Sequence, residues 1–526
     1  MTKMKKRLFL ICLAALLVGL GIKLYTDNYV FAAGKSVSRS AEAVDLRETM
    51  LSVSDYQELM EEVPGLNVRW YIPFHGNLYD STTDRLSIAT LSEEDIAILE
   101  LFPNLTVLDA EDCQNYPELL QFSQKRPACD VRYLITLGGT TFESNTRVAT
   151  VSNPDIPELL ENLKYLPHLQ KLYLDGQMPA SGQLEELVKQ YPQVDIRWEL
   201  PFGDRTLSSR LTDLNVAGTP MTYDEFEEML QYFPNTTRVD MRGCGLTDSE
   251  MIKLADTYPD IFFIWEITIG ELQISTDSEE VDISGQVLQS TSEIEDLLPY
   301  FRNVKKVVMS HCGFDDETMD ALNKRYEDIR FVWSIKVQNV YIRTDTTFFY
   351  PFKYNRDMKV NNADLYPLRY CTDIVAVDIG HMWGVTDCEW AAFMPELTYL
   401  ILVETQITDL SPLVNCKKLA FLEIFKTQIK DYSPLIQCTS LVDINMCRTY
   451  GDYRPLLQMP WLQTVYWNGI AGTVGFPCSG AEKVLPEALP NTRFVFHLFS
   501  NSFYNGWRDL DNYKRMRDVM GMFYLR

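Results

Sequence analysis

The stretch from residue 397 to residue 470 repeats itself every 22 residues, and this period constrains the fold more than any other feature of the chain. Each copy has apolar residues at its first, fourth and sixth positions, and the three regular copies have a threonine at the ninth. The regular copies read Leu397, Leu400, Leu402 and Thr405; Leu419, Leu422, Ile424 and Thr427; Leu441, Ile444, Met446 and Thr449; a worn fourth copy has Leu462, Val465 and Trp467. One such coil cannot bury its apolar side alone, so we expect stacked coils around a continuous core.

A longer period precedes these coils. Strand-like segments centred on an aromatic residue recur at intervals of 63, 65, 67 and 68 residues, and their centres are Trp70, Tyr133, Trp198, Trp265 and Trp333. Each segment alternates apolar with other residues, as a half-buried strand does, and the regular phase predicts that the aromatic centres are core residues. Two more strand-like pieces and short helical stretches lie between successive segments, so each period is interpreted as about three coils of about 22 residues.

The pattern L-x-x-L-x-L-x-x-T-x-I followed by D-(L/Y)-S-P-L resembles the 22-residue, internalin-like class of leucine-rich repeats over residues 395–470. The upstream array resembles degenerate, helix-bearing leucine-rich repeats more weakly. The resemblance implies an α/β leucine-rich-repeat solenoid, with a parallel sheet on the concave face and short helices or turns on the convex face. It also implies a bacterial protein of the cell-surface or secreted type.

In a leucine-rich repeat, the strand residues between the leucines point outward onto the concave sheet. The resemblance therefore implies a binding surface made of Tyr399, Ile401, Val403, Glu404, Phe421, Glu423, Phe425, Lys426, Asp443, Asn445, Arg448, Tyr466 and Asn468. Adjacent apolar rows with a charged rim are typical of an interaction surface. A second arrangement stays open, in which the C-terminal cap or the segment 339–370 folds over these residues.

The interruptions of both periods predict the organisation of the chain. We expect a signal peptide or membrane anchor at 1–33, a degenerate repeat array at 44–338, a junction or insertion at 339–370, regular repeats at 371–470 and a C-terminal cap at 471–526. A cap is expected because a solenoid needs a distinct terminal unit to cover its last coil.

The N-terminus has the pattern of an export signal, because Lys3, Lys5, Lys6 and Arg7 precede an apolar run over residues 8–22. That run is short for a membrane span, which needs ~20 residues. A small-residue cleavage site precedes Ala33. The alternative is an uncleaved anchor over residues 8–25, with the C-terminus outside. Either way, the sequence predicts an extracellular or cell-envelope location.

Charge and motifs restrict the function classes. The formal net charge is −25 and the pI is about 4.7, so the surface repels phosphate backbones and no nucleic-acid partner is expected. No catalytic motif is present, and we expect no cofactor and no metal. Three candidate sites are outweighed by structural interpretations: a nucleophile–base pair of His311 and Cys312, a zinc site of Cys371, His381 and Cys388, and a calcium site around Asp509, Asp511 and Asn512.

The 11 cysteines are interpreted mostly as buried thiols, because Cys113, Cys244 and Cys312 occupy the ninth position of the repeat. A Cys371–Cys388 disulfide stays open as an alternative. Together these features predict a non-enzymatic extracellular binding or scaffold protein that recognises a protein or a surface glycan and meets a membrane only through its N-terminal segment. The alternatives are a structural cell-envelope protein tethered by its N-terminus, or an enzyme with a site in 339–370 or 471–526.

Overall fold

The computed structural model describes residues 7, 10, 13–20, 23, 27–449, 451–467, 480–496 and 506–522. The chain divides into two compact units, one of Met1–Thr212 with Asp224–Thr236 and the other of Asp213–Tyr223 with Thr237–Arg526. Within the part of the chain that the structure describes, no helix is long and apolar enough to cross a membrane.

Short parallel ladders make up the first unit, and an antiparallel hairpin follows each one. The parallel strands are Ala43–Asp45 with Asn67–Arg69; Arg85–Ser87, Val107–Asp109 and Asp130–Arg132; and Val148–Ser152, Lys171–Asp175 and Asp195–Phe202. The hairpins pair Tyr29–Ala32 with Lys35–Ser38, Tyr71–Phe74 with Asn77–Asp80, Leu134–Leu137 with Thr140–Glu143, and the second half of Asp195–Phe202 with Arg205–Ser208.

The second unit continues this pattern and ends in a longer sheet. Its ladders are Asp213–Asn215, Arg238–Asp240 and Phe262–Ile264, then Glu280–Asp282, Lys306–Val308 and Arg330–Val332; its hairpins pair Glu266–Ile269 with Leu272–Ser275 and Ser334–Val337 with Val340–Arg343. A parallel sheet of seven described strands follows: Phe348–Phe349, Ala376–Asp378, Tyr399–Ile401, Phe421–Glu423, Asp443–Asn445, Thr464–Trp467 and Arg493–Phe496.

Short helices connect the strands. The α-helices are Val53–Glu62, Glu93–Leu99, Tyr116–Lys125, Ile156–Asn162, Ser181–Gln190, Tyr223–Leu230, Asp248–Thr257, Ser292–Glu295, Asp316–Arg325, Pro351–Tyr354, Asn362–Leu365, Ala481–Ala488 and Asp511–Val519. The 3-10 helices are Leu163–Tyr165, Leu298–Tyr300, Tyr366–Tyr370, Glu389–Phe393, Ser411–Asn415, Ser433–Gln437, Arg454–Gln458 and Trp507–Asp509. The capping box of Thr247 with Glu250 starts its helix through reciprocal hydrogen bonds.

The regular coils stack in the register that their sequence predicts. Leu400 pairs with Leu422, Leu422 with Ile444, and Ile444 with Val465, and these side chains are buried inside the stack. The threonine hydroxyls of the ninth position each donate to the carbonyl oxygen three residues earlier, at 2.8 Å for Thr405 and Thr427 and 2.7 Å for Thr449. The expected leucine-rich-repeat fold is confirmed by this register. The predicted domain boundaries remain predictions.

Four of the five aromatic segments of the upstream period differ from the single half-buried strand that their alternation predicts, and the segment around Trp198 is one continuous strand. The aromatic centres are buried as predicted, and four of them stand between the last strand of a ladder and the first arm of a hairpin, whereas Trp198 lies within the continuous strand Asp195–Phe202 that serves as both. A serine or threonine 11 residues later closes the hairpin by accepting a hydrogen bond from the aromatic residue's amide: Ser81, Ser144, Ser209, Thr276 and Thr344. The hairpins interrupt the parallel pairing, so the upstream ladders are separate sheets.

We expect Thr276→Val to loosen its hairpin locally. The Thr276 hydroxyl accepts from the Trp265 amide and donates to the Phe263 carbonyl oxygen, both at 3.1 Å, in a fully buried position. Leaving these groups unsatisfied costs about 1–3 kcal/mol. Hydrogen exchange at the Trp265 amide should therefore accelerate, whereas Thr268→Val on the exposed side of the same hairpin should leave it unchanged. Equal exchange in both variants would contradict the role of the hydroxyl.

Candidate functional site: the outer sheet face and its cover

The predicted binding residues lie on one face of the seven-stranded sheet, which we call the outer sheet face. It consists of the residues that alternate with the buried leucines: 399, 401, 403, 421, 423, 425, 443, 445, 447 and 466. Three predicted residues, Glu404, Lys426 and Arg448, lie beside it in the turns that follow the strands. Asn468 lies outside the described residues.

The outer sheet face is not exposed, contrary to the arrangement that the sequence favoured. The predicted residues on this face are all buried: Tyr399, Ile401, Val403, Phe421, Glu423, Phe425, Asp443, Asn445 and Tyr466. Residues 506–522, which we call the covering segment, pack against them. The covered arrangement, which the sequence had left open, is therefore the one observed. It leaves the predicted binding role itself untested.

The covering segment holds the face with a tryptophan and one side of a helix. Trp507 is fully buried and stacks on Phe421, with ring centroids 4.7 Å apart, and meets Tyr466 edge-on at 5.0 Å. The following helix, Asp511–Val519, buries Tyr513 and Met516. Met520 continues the same apolar stripe just beyond the helix end.

Buried polar groups fix the position of the covering segment. The Trp507 indole Nε1 donates to Glu423 Oε2 at 2.9 Å, and Asn445 Nδ2 donates to Glu423 Oε1 at 3.2 Å. One coil further, Asn512 Nδ2 donates to Asp443 Oδ2 at 2.8 Å. A buried carboxylate without donors is costly, so these contacts align the segment along the sheet as well as hold it.

Burial also changes the acidity of this face. It raises the pKa of Asp443, while the hydrogen bonds from Asn512 and Thr464 act in the opposite direction. It raises the pKa of Asp378 in the same sheet, against the hydrogen bond from the Gly380 amide. Both carboxyl groups thus hold their protons more tightly than they would in water.

A charged row borders the face. Lys426 Nζ lies 2.8 Å from Glu404 Oε1, and His381 Nδ1 lies 3.2 Å from Glu404 Oε2. The hydrogen bond from Lys426 lowers the pKa of Glu404. Glu404, Lys426 and Arg448 have φ angles of 57° and 58°, in the left-handed region, because each forms the turn that leaves its strand. These charged side chains form a polar rim beside the buried apolar residues of the face.

At the other candidate sites predicted from the sequence, the side chains have contacts that a structural role explains. Cys312 is buried and donates to the Ile283 carbonyl oxygen at 3.2 Å, and burial raises the pKa of its thiol. Cys371 and Cys388 are free, buried thiols, so the disulfide considered from the sequence is not formed. Among the described residues, no group of three histidine, cysteine, aspartate or glutamate side chains is arranged to hold a metal ion.

Sequence reasoning missed the residues of the covering segment that occupy the site. The signal was present but weak: Tyr513, Met516 and Met520 have the three- and four-residue spacing of an apolar helix face. Trp507 lies 84 residues from Glu423 in sequence, and no local pattern links the two.

No protein-family model and no curated protein matches this sequence. Among solved structures, internalin C2 of Listeria monocytogenes is 17% identical, with a TM-score of 0.19 over 49% of this chain and 80% of that one. Internalin F of the same organism is 13% identical, with a TM-score of 0.21 over 81% and 91%. A leucine-rich-repeat protein of Leptospira interrogans is 12% identical, with a TM-score of 0.21 over 78% and 93%. TM-scores this low support no shared function, and the fold assignment depends on the strand register of the chain itself.

We expect Trp507→Ala to release the covering segment and expose Cys447, which lies fully buried beneath it. Deleting a buried tryptophan costs about 3–5 kcal/mol, and here the loss weakens docking. Alkylation of Cys447, followed by peptide mass spectrometry, should accelerate at least about tenfold.

Cys438 provides an internal control, because its thiol donates to the Leu413 carbonyl oxygen inside the stack and burial raises its pKa to about 11. It should stay protected in the same variant. Trp383→Ala, at a tryptophan that is 62% exposed, serves as the matched variant and should leave Cys447 protected. Unchanged Cys447 alkylation in Trp507→Ala would show that the tryptophan does not hold the cover.

Docking should also depend on pH through Asp443. Because its pKa is raised when the segment is docked, protonation favours docking, and this contribution is lost as the pH rises through the raised pKa. Asp443→Asn removes the charge and keeps an oxygen for Asn512. We expect tighter docking of the variant near neutral pH and a flatter pH dependence above the ordinary pKa of an aspartate, about 4.

The measurement for Asp443→Asn is hydrogen exchange of the amides in Asp511–Val519, corrected for the intrinsic exchange rate at each pH. Some pH dependence should remain, because the pKa of Asp378 is raised as well. Asp452→Asn is the matched control, since the Arg454 side chain lowers the pKa of Asp452. A steeper pH profile in Asp443→Asn would reverse the assigned sign.

Proposed function

We propose that this protein is a non-enzymatic extracellular binding protein that recognises a protein partner through the outer sheet face. The observation that carries the proposal is that this face already holds a polypeptide segment with a specific polar register. Its centre is aromatic and aliphatic, its rim is charged, and its buried carboxylates have matched donors. An amphipathic helix that lies in an apolar groove is a recurring mode of protein recognition.

We infer export from the N-terminal sequence. Basic residues followed by the apolar run 8–22 support secretion after cleavage near Ala33, or anchoring by residues 8–25 with the C-terminus outside. N-terminal sequencing of the mature chain separates these two forms. The proposed recognition of a partner by the outer sheet face does not depend on which of the two forms is present.

The cover itself favours a second candidate, a structural protein of the cell envelope. If residues 506–522 never leave the outer sheet face, they complete the core of the last coils and recognise nothing. An enzyme with a site in 339–370 is less well supported, because Phe348 in the first strand of the sheet and Tyr350 just after that strand pack against the same apolar cluster as the covering segment.

The experiment compares full-length wild-type protein with the Trp507→Ala/Tyr513→Ala double variant, which we call the open variant. Each is used to capture proteins from the culture medium and envelope fraction of the producing bacterium. We expect the open variant to retain a partner that Glu423→Lys, added to the open variant, removes because it replaces the buried carboxylate at the centre of the face with a cation. Glu389→Lys, at an exposed residue of a 3-10 helix, is the matched charge reversal and should keep the partner.

Two results would contradict the proposal. Capture that persists in the presence of Glu423→Lys would place recognition elsewhere on the molecule. An open variant that captures nothing beyond the wild type, although its Cys447 is reactive, would favour the structural candidate.

A further inference from the structure

The covering segment has the amphipathic pattern of a helix that binds in a groove, and this pattern suits a ligand as well as a cap. It is a short piece of chain, Gly506 to Met522, whose buried residues are Trp507, Tyr513, Met516 and Met520. The last three lie on one helical stripe, and exposed polar residues such as Asp511, Arg515 and Asp518 lie between them. Such a segment is an amphipathic helix with a leading tryptophan anchor, the kind of element that lies in a groove by its apolar face.

The buried carboxylates of the outer sheet face restrict which hydrogen-bond donors an occupant must supply. Glu423 is 1% exposed and receives the Trp507 indole N–H and the Asn445 amide, and Asp443 receives the Asn512 carboxamide from the covering segment. If the segment leaves and an apolar helix takes its place, both carboxylates lose a donor in a buried site. An occupant must therefore bring an indole N–H and, five residues later, a second hydrogen-bond donor.

Charge adds a third requirement. The chain carries a net charge of −25, whereas residues 506–522 contain four basic and three acidic side chains. Arg508 and Arg517 oppose the effect of burial on Asp378, and Arg515 acts in the same way on Tyr399. The net charge of the segment, +1 from four basic and three acidic side chains, is opposite in sign to that of the whole chain, which favours a cationic helix over an anionic one.

We propose that the outer sheet face recognises a basic, helix-forming segment of a partner protein that carries a tryptophan, with a side-chain donor five residues later, and that residues 506–522 occupy this site as a competing internal ligand. This proposal rests on the function proposed above and names the partner's chemistry and the regulation of the same site. The internal ligand is covalently attached, so its effective concentration is of millimolar order. A partner in solution binds only in proportion to the fraction of molecules whose face is open.

The test uses a synthetic, fluorescently labelled peptide with the sequence of residues 506–522 and the full-length protein. We expect saturable binding of the peptide to the open variant, measured by fluorescence anisotropy. Binding to the wild-type chain should be at least tenfold weaker, because its own segment fills the site. A peptide carrying Trp507→Ala should lose at least about tenfold in affinity for the open variant.

The open variant must be folded for these results to count. Protection of Cys438 from alkylation reports intact coils, and reactivity of Cys447 reports an open face, both in the same sample. A single Tyr513→Ala variant is the milder alternative if the double variant loses Cys438 protection. Glu423→Gln in the open variant keeps the shape of the side chain and removes its charge, and it should weaken binding of the native peptide more than that of the Trp507→Ala peptide.

The proposal is overturned if an open face binds no native peptide, or if it binds the Trp507→Ala peptide equally well. It is also overturned if the wild-type chain is a dimer that Trp507→Ala dissociates, because the segment would then link two copies. The outcome is separable from that of the proposed function. A captured partner that the peptide does not displace supports the proposed function and rejects this partner class. Peptide binding without any captured partner rejects the proposed function and the partner with it, and retains only residues 506–522 as an internal ligand of the face.

Discussion

A leucine-rich coil has an apolar surface on both of its flanks, and the stacking of one coil on the next is the interaction on which the rest of this structure depends. Leu400, Leu422, Ile444 and Val465 stand opposite one another across neighbouring strands, and any shift of one residue would turn them out of the core. That register leaves the alternate positions of each strand pointing away from the stack. The residues at these alternate positions therefore do not have to fit the apolar interior of the coils.

The freedom of those positions explains why the outer sheet face needs a cover. Tyr399, Ile401, Phe421 and Phe425 stand in adjacent rows, and an open face of this kind would be a contiguous apolar patch. Stacking cannot bury it, since the coils meet at their flanks and not at this face. The chain covers it with its own C-terminal residues, and Cys447, a thiol outside the coil interior, is buried as a consequence.

The parts of the fold that follow from short-range periodicity could be predicted from the sequence. The inward leucines, the threonine of the ninth position and the buried aromatic centres all occupy their expected places. The hairpins were missed because their distinguishing residue is a single hydroxyl such as Thr276, which pairs with a residue 11 positions earlier inside a segment that alternates like one strand. The rows of the outer sheet face were identified correctly, but their burial depends on a segment 84 residues away, and periodicity carries no information about such docking.

The polar contacts of the cover distinguish its two possible roles. A permanent cap gains most stability from apolar packing, and replacing buried charged groups with well-packed apolar residues is often neutral or stabilising. Here Glu423 and Asp443 stay in the buried centre of the face, and each is served by a donor from the covering segment. Such carboxylates add little to the strength of docking and much to its selectivity, because a helix without matched donors deprives each of them of a hydrogen bond in a buried site. In a permanent cap these contacts align the segment along the sheet, and in the binding surface that we propose they also discriminate between occupants.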